Sequence, residues 1–233
     1  MTDITVTAGN VGAIFSDAKI RSSVLAEAMT AGLALYTNSN GKGAKANAGA
    51  LATAKFRGIV TQQGGAGQGV SVQKNSEIGG FDLSGLAYDA PVFLSATAGA
   101  LCDTDPGVNE KVTVTLDGAA GAGNTFTLTF GGQTTAAIAY NASAADVQAA
   151  LELLSTIGVG NIRVTGAGPF TLEFMNDLGK QNVGAVTAAA SGMNAPTIAV
   201  AQGGVSSIIV GRVVAMSDKD KTKVLDLIEY PEV

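Results

Sequence analysis

The chain has 233 residues, 46% of them hydrophobic and only 5% aromatic, with 14 Lys and Arg against 19 Asp and Glu for a formal net charge of −5 and no histidine or tryptophan. That balance gives a phosphate backbone no electrostatic hold, so direct binding of nucleic acid is not expected. The lack of histidine removes the commonest general base, the serine triad and most zinc sites, and the single cysteine, Cys102, rules out an intrachain disulfide framework.

Glycine contributes 31 residues, about 13% against a usual ~7%, with no Gly-X-Y period. The composition fits a turn-rich β protein whose core is built from Ala, Val, Leu and Ile. No apolar run approaches the roughly 20 residues that a membrane span needs, and the first residues, MTDITVTAGNVGAIF, lack a basic region followed by an apolar one. A soluble, unprocessed chain is expected.

In chain order, Ile4 and Val6 alternate with Thr5 and Thr7, a short strand signal near a terminus. It fits either an arm that adds to a neighbour's sheet edge or a frayed first strand. Ala26–Gly32 predicts a turn feeding a strand through Leu33, Leu35 and Tyr36, and NSNGKGAKANAG from Asn38 a loop or loose hairpin. Phe56–Val60 and Val70–Gln73 are predicted strands around a Gly-rich segment, Gln62–Gly69. A phosphate-binding glycine loop needs a helix where the glycines end. An alternating strand follows instead, so this segment is predicted to be a β-turn loop.

From Gly79 the sequence GGFDLSGLAYDAPVFLSATAGAL predicts a strand at Phe81 and Leu83, a turn at Gly85, and a second strand after Pro91 with Val92 and Leu94 on one face. Beyond Gly107 the strand signals sharpen: Val112, Val114 and Leu116, then Phe126, Leu128 and Phe130, then Phe170, Leu172 and Phe174 each alternate with polar residues. NTFTLTF and GPFTLEF echo each other. One helix interrupts them. Ser143 with Asp146 is an N-terminal capping signal, Val147, Ala150, Leu151 and Leu154 follow helical spacing, and Gly158 suits the C-terminal cap. Its Val/Leu stripe is expected to pack on the phenylalanine face of the sheet.

The order AEAMTAGLALY, FRGIV, GAGQGVSVQ, GLAYDAPVFLSATAGAL, closed by SSIIVGRVVAMSDKDKTKVLDLIEY from Ser206, resembles the small β-rich capsid cement or decoration proteins of tailed bacteriophages. The stretch TFTLTFGGQTTAAIAYNASAADVQAALE is similar to an appended α+β module of phage structural and bacterial surface proteins. The expected fold is therefore mainly β: a split barrel-like or sandwich-like decoration domain with an inserted small α+β domain, an antiparallel sheet plus one helix. The expected division is an N-terminal arm, 1–19; a discontinuous capsid-binding domain, 20–106 and 205–233; and an insertion, 107–204, that projects outward. Val92 and Leu94 are expected to share a core with Val210 and Val213.

What the resemblance implies is a virion structural protein on the outer surface of the phage capsid, made in the host cytoplasm. Its partners would be the major capsid protein and itself, as a homotrimer. Thr2, Ile4, Val6, Val11, Ile14 and Phe15 are the candidate capsid contacts. The alternative is an adhesion module in which the Thr-rich faces of the insertion bind glycans weakly. No enzyme, cofactor or metal is expected. Asp218–Asp220 with Glu229 imitates the ends of an EF-hand loop, but Thr222 and Lys223 stand where an oxygen ligand and a glycine are required. Asp103, Asp105, Asn109 and Glu110 fit a polar linker better than a surface cation site, and Asn141-Ala142-Ser143 is explained by the helix cap without glycosylation.

Overall fold

The computed structural model describes residues 1–50, 52–117, 123–216 and 222–229. It is mainly β, and every strand ladder in it is antiparallel. The chain forms two compact units, Met1–Gly107 with Ser206–Val233, and Val108–Val205.

The first unit contributes β1 (Gly12–Ala13), β2 (Ile20–Val24), β3 (Ala34–Thr37), β4 (Gly43–Lys45), β5 (Gly58–Val60), β6 (Gly69–Gln73), β7 (Ser76–Gly79), β8 (Pro91–Leu94) and β9 (Leu101–Cys102). One sheet runs β2-β6-β5-β3-β4. Its inner residues Leu25, Met29, Leu35, Val60, Val70 and Val72 make an aliphatic core, as a composition poor in aromatics requires. The glycine segment after β5 is a turn that delivers the chain into β6, and NSNGKGAKANAG forms the β3–β4 hairpin with Leu35 opposite Lys45.

Phe81 and Leu83 are both buried, as their apolar character demands, but they do not form the expected strand. The extended segment is β7, just before them; Gly80 with φ of +94° turns the chain out of it. The hairpin near Pro91 is accordingly β8–β9, with Phe93 opposite Cys102 and Leu94 opposite Leu101.

The inserted unit contains β10 (Lys111–Thr115), β11 (Thr125–Phe130), β12 (Gln133–Thr134), β13 (Ile138–Ala139), α1 (Ala144–Glu152), β14 (Ile162–Thr165), β15 (Phe170–Phe174), β16 (Thr187–Ser191) and β17 (Thr197–Gln202). One sheet runs β14-β15-β10-β17; in the other, β11 pairs with β12 and β13 along one side and β16 along the other. The echoed segments NTFTLTF and GPFTLEF lie in different sheets and put Phe126, Phe130, Phe170 and Phe174 into one core with Val147, Leu151 and Leu154.

The capping box is present: Asp146 N–H donates to Ser143 Oγ at 3.2 Å while Ser143 N–H donates to Asp146 Oδ2 at 2.9 Å. The helix ends at Glu152, sooner than the spacing predicted. Leu154 reaches the core from the turns that follow, and Gly158, at φ of +76°, closes those turns instead of the helix by donating to the Leu154 carbonyl at 2.8 Å.

The chain returns to the first unit with β18 (Ile209–Ala215) and β19 (Lys223–Leu227). The predicted charged turn at Asp218–Asp220 lies outside the described residues. The second sheet of this unit runs β1-β7-β19-β18-β8-β9, so strands from either side of the insertion are hydrogen-bonded neighbours. Val92 and Leu94 on β8 and Val210 and Val213 on β18 are all fully buried. A register shift between Ile209 and Gly211 marks a bulge, and at Gly211 a Cβ would fall well inside van der Waals contact of the Asp226 carbonyl oxygen. Only glycine lets β19 approach there.

Candidate interaction surface

The sequence offered no catalytic constellation, so the candidate site is the N-terminal arm. Its backbone is neither free nor frayed. Ile4 N–H donates to the Leu101 carbonyl at 2.8 Å and Asp103 N–H to the Thr2 carbonyl at 3.3 Å; on its other side, Asp82 N–H donates to the Thr5 carbonyl at 2.9 Å and Thr7 N–H to the Gly80 carbonyl at 2.8 Å. Even-numbered positions face β9 and odd-numbered ones the segment after β7, the alternation that an inserted strand shows. The contacts are isolated bridges, Asp3 with Cys102 and Val6 with Phe81. The arm thus links β9, at one end of the six-stranded sheet, to the segment that follows β7, without making a continuous closed barrel.

Side chains fix the arm further. Ser95 Oγ donates to Asp3 Oδ1 at 2.6 Å from a fully buried position, and Thr2 N–H donates to Asp103 Oδ1 at 2.9 Å. That backbone donor holds the Asp103 carboxyl below its usual pKa. Burial, reinforced by the nearby Asp3 charge, pushes the Cys102 thiol up to about 11, which leaves it a packing residue.

The six candidate contacts separate into two groups. Val6 and Val11 press on Gly32, Val11 also on Gly80, and Ile14 on Gly79, where a Cβ on each glycine would meet them; with Ile4 these side chains are half-buried in their own unit. Thr2 is exposed, and so is Phe15, at 43%. Sequence alternation located the arm strand. Its partners, Gly80, Asp82, Ser95 and Leu101–Asp103, carry no local signal, because they lie some 75 to 100 positions away and only the fold brings them together.

A second feature of the first unit is a cavity of about 540 Å³ beside β2, lined by Arg21, Arg57 and Lys74 with Ser22, Ser23 and Thr37. Its lining is cationic within an acidic chain. The polar linker residues serve locally: Asp105 accepts from Gly107 N–H at 2.8 Å, while in the inserted unit the buried Glu110 accepts from Val183 N–H at 2.8 Å and Asn109 donates to Glu173 at 3.3 Å.

No protein-family model matches the chain, and no curated protein does. Among solved structures the chain is similar to one from Mycobacterium phage Patience, with 18% identity, a TM-score of 0.32, and coverage of 100% of this chain and 99% of that one. A score this low carries no argument for fold or role.

Proposed function

We propose that the chain is a virion structural protein, a decoration or cement protein that binds the outside of an assembled phage capsid, sits there as a homotrimer and stabilises contacts between major capsid protein subunits. Support comes from the ordered series of segments that resembles that family and from the β-rich unit they build. The observation that carries the reading is the arm. Its residues 2–7 are hydrogen-bonded between two segments of the first unit, and large apolar side chains at either end of the arm face solvent, Met1 at 64% and, just after β1, Phe15 at 43% exposure. Apolar groups displayed on an ordered backbone bind a protein surface with little loss of conformational freedom. In this reading the arm contacts the capsid through Thr2 and Phe15, and its backbone ladder stays within its own unit.

The test is titration of purified chain onto capsids that lack it. Saturable binding on the outer surface and a raised capsid melting temperature are expected, and Phe15→Ser is expected to weaken binding by about 1–2 kcal/mol, roughly tenfold. Capsids that neither bind the chain nor gain heat resistance would refute the proposal.

A further inference from the structure

The inserted unit closes its two lateral sides differently. On one side α1 lies against β14, and Gln148 Oε1 accepts the Val164 N–H at 3.1 Å. A helix side chain therefore occupies a backbone donor of that sheet edge, and Arg163 on the same strand is charged and paired with Glu173. On the other side, among the described residues, β17 ends its sheet and β16 pairs only with β11. Beyond those ladders, no backbone group of Thr187–Ser191 or Thr197–Gln202 has a hydrogen-bond partner among the described residues.

Exposed edges are ordinarily guarded by lysines, other charges or an internal proline. β17, TIAVAQ, has none of these, and no charged residue occurs anywhere between Lys180 and Arg212. Val200 sharpens the point. It stands opposite Val112 in the ladder, hence on the same face as that buried residue, and it is nevertheless 63% exposed. The core face of the sheet continues to an edge that nothing among the described residues covers.

We propose that β17 pairs antiparallel with β17 of a second copy of the chain. An uncharged edge offers nothing to attract a charged segment, whereas an identical edge meets it without repulsion and brings a second exposed Val200 that needs cover. With a two-fold axis through Ala199 perpendicular to the sheet, Ile198 of one copy lies beside Val200 of the other on the same face. Such a contact is self-complementary and uses up both edges, so the chain free of capsid closes at two copies.

Sedimentation of the full-length chain in the absence of capsids tests this independently of the capsid reading. Val200→Lys and Val200→Glu are each expected to lower the weight-average mass twofold, with the far-ultraviolet circular dichroism unchanged. An equimolar mixture of the two is expected to restore the wild-type mass, because opposite charges then face one another; loss of a merely structural residue would not be rescued in this way. If either change disturbs folding, Ala199→Lys and Ala199→Glu, at an exposed position that meets its own copy across the axis, replace them. A mass unaltered by the charged variants, a mixture that stays at the lower mass, or a wild-type mass that climbs without limit with concentration would each overturn the proposal.

Discussion

The rings of Phe130 and Phe174 stack with centroids 5.1 Å apart and planes 29° from parallel, tying the β11 sheet to the β15 sheet across the core of the inserted unit. Each comes from the end of one copy of the echoed segment. Phe174 is fully buried, so Phe174→Ala is expected to destabilise this unit by about 3–5 kcal/mol through lost transfer energy and a residual cavity. Phe130→Leu keeps most of the volume and loses the ring pair, about 1 kcal/mol. Chemical denaturation followed by hydrogen exchange at core amides of the inserted unit measures both. A Phe130→Leu protein as stable as the wild type would show that the stacking contributes nothing beyond size.

The helix start was legible to the residue, because a capping box is a local device: its donors and acceptors lie within four positions of each other. Ser143→Ala removes the hydroxyl that accepts the Asp146 N–H and is expected to cost about 1 kcal/mol. The Ser143 hydroxyl and backbone N–H hold the Asp146 carboxyl below its usual pKa. A depressed carboxyl contributes stability that is present above its unfolded pKa and lost as pH falls through the folded one. The Ser143→Ala deficit is therefore expected in full at neutral pH and to shrink below about pH 4. Thermal melts of both proteins over that range measure it, and a deficit independent of pH would remove Asp146 from the account.

Where the sequence misled, the missing information was non-local. Phe81 and Leu83 alternate as a strand would and are buried as predicted, yet the ladder stops at Gly79 because β19 pairs with Ser76–Ile78 and Gly80 then turns the chain. The arm shows the same limit. Ile4 and Val6 signalled an extended segment, but no pattern within it could say that its two backbone faces would be taken up by Leu101–Asp103 and Gly80–Asp82. The edge at β17 is hidden differently: Ala199 and Ala201, alternating with Ile198 and Val200, blur the apolar–polar alternation that marks a strand.

Because the arm satisfies backbone groups on both sides, its removal is expected to damage the first unit itself. Deleting Met1–Thr7 strips the acceptors from the Asp82 and Asp103 amides, whose hydrogen exchange is expected to accelerate, while the Phe174 amide in the inserted unit keeps its wild-type rate. Cys102 supplies a second reading. With its thiol at about 11 instead of 9.0, the native chain holds about a hundredfold less thiolate at pH 8 than the unfolded chain. Alkylation is expected to be slow in the intact protein and markedly faster after the deletion. Unchanged exchange and alkylation would mean that the arm is dispensable to the sheet.

A like-charge repulsion sits inside the six-stranded sheet. Asp226 on β19 stands directly opposite Glu77 on β7, and Ser76 Oγ lies within hydrogen-bond distance of both Asp17 Oδ1, at 2.8 Å, and Glu77 Oε2, at 3.0 Å. Burial, then the charges of Glu77 and Asp17, raise the Asp226 carboxyl above its usual pKa. An acid whose pKa is raised on folding binds its proton more tightly in the native state, so its charged form opposes folding at neutral pH and the penalty is relieved as pH falls through the folded value. Asp226→Asn is therefore expected to stabilise the first unit near pH 7. The gain is about 0.5 kcal/mol, since Asp226 is partly open to solvent and like-charged cross-strand pairs are worth only a few tenths to about 1 kcal/mol. The gain should fade in acid, where the wild-type carboxyl is already protonated, and also in high salt, where the repulsion is screened. Denaturant midpoints of the two proteins at neutral pH, in acid and in high salt measure all three. A gain that persisted in acid would assign the effect to something other than charge.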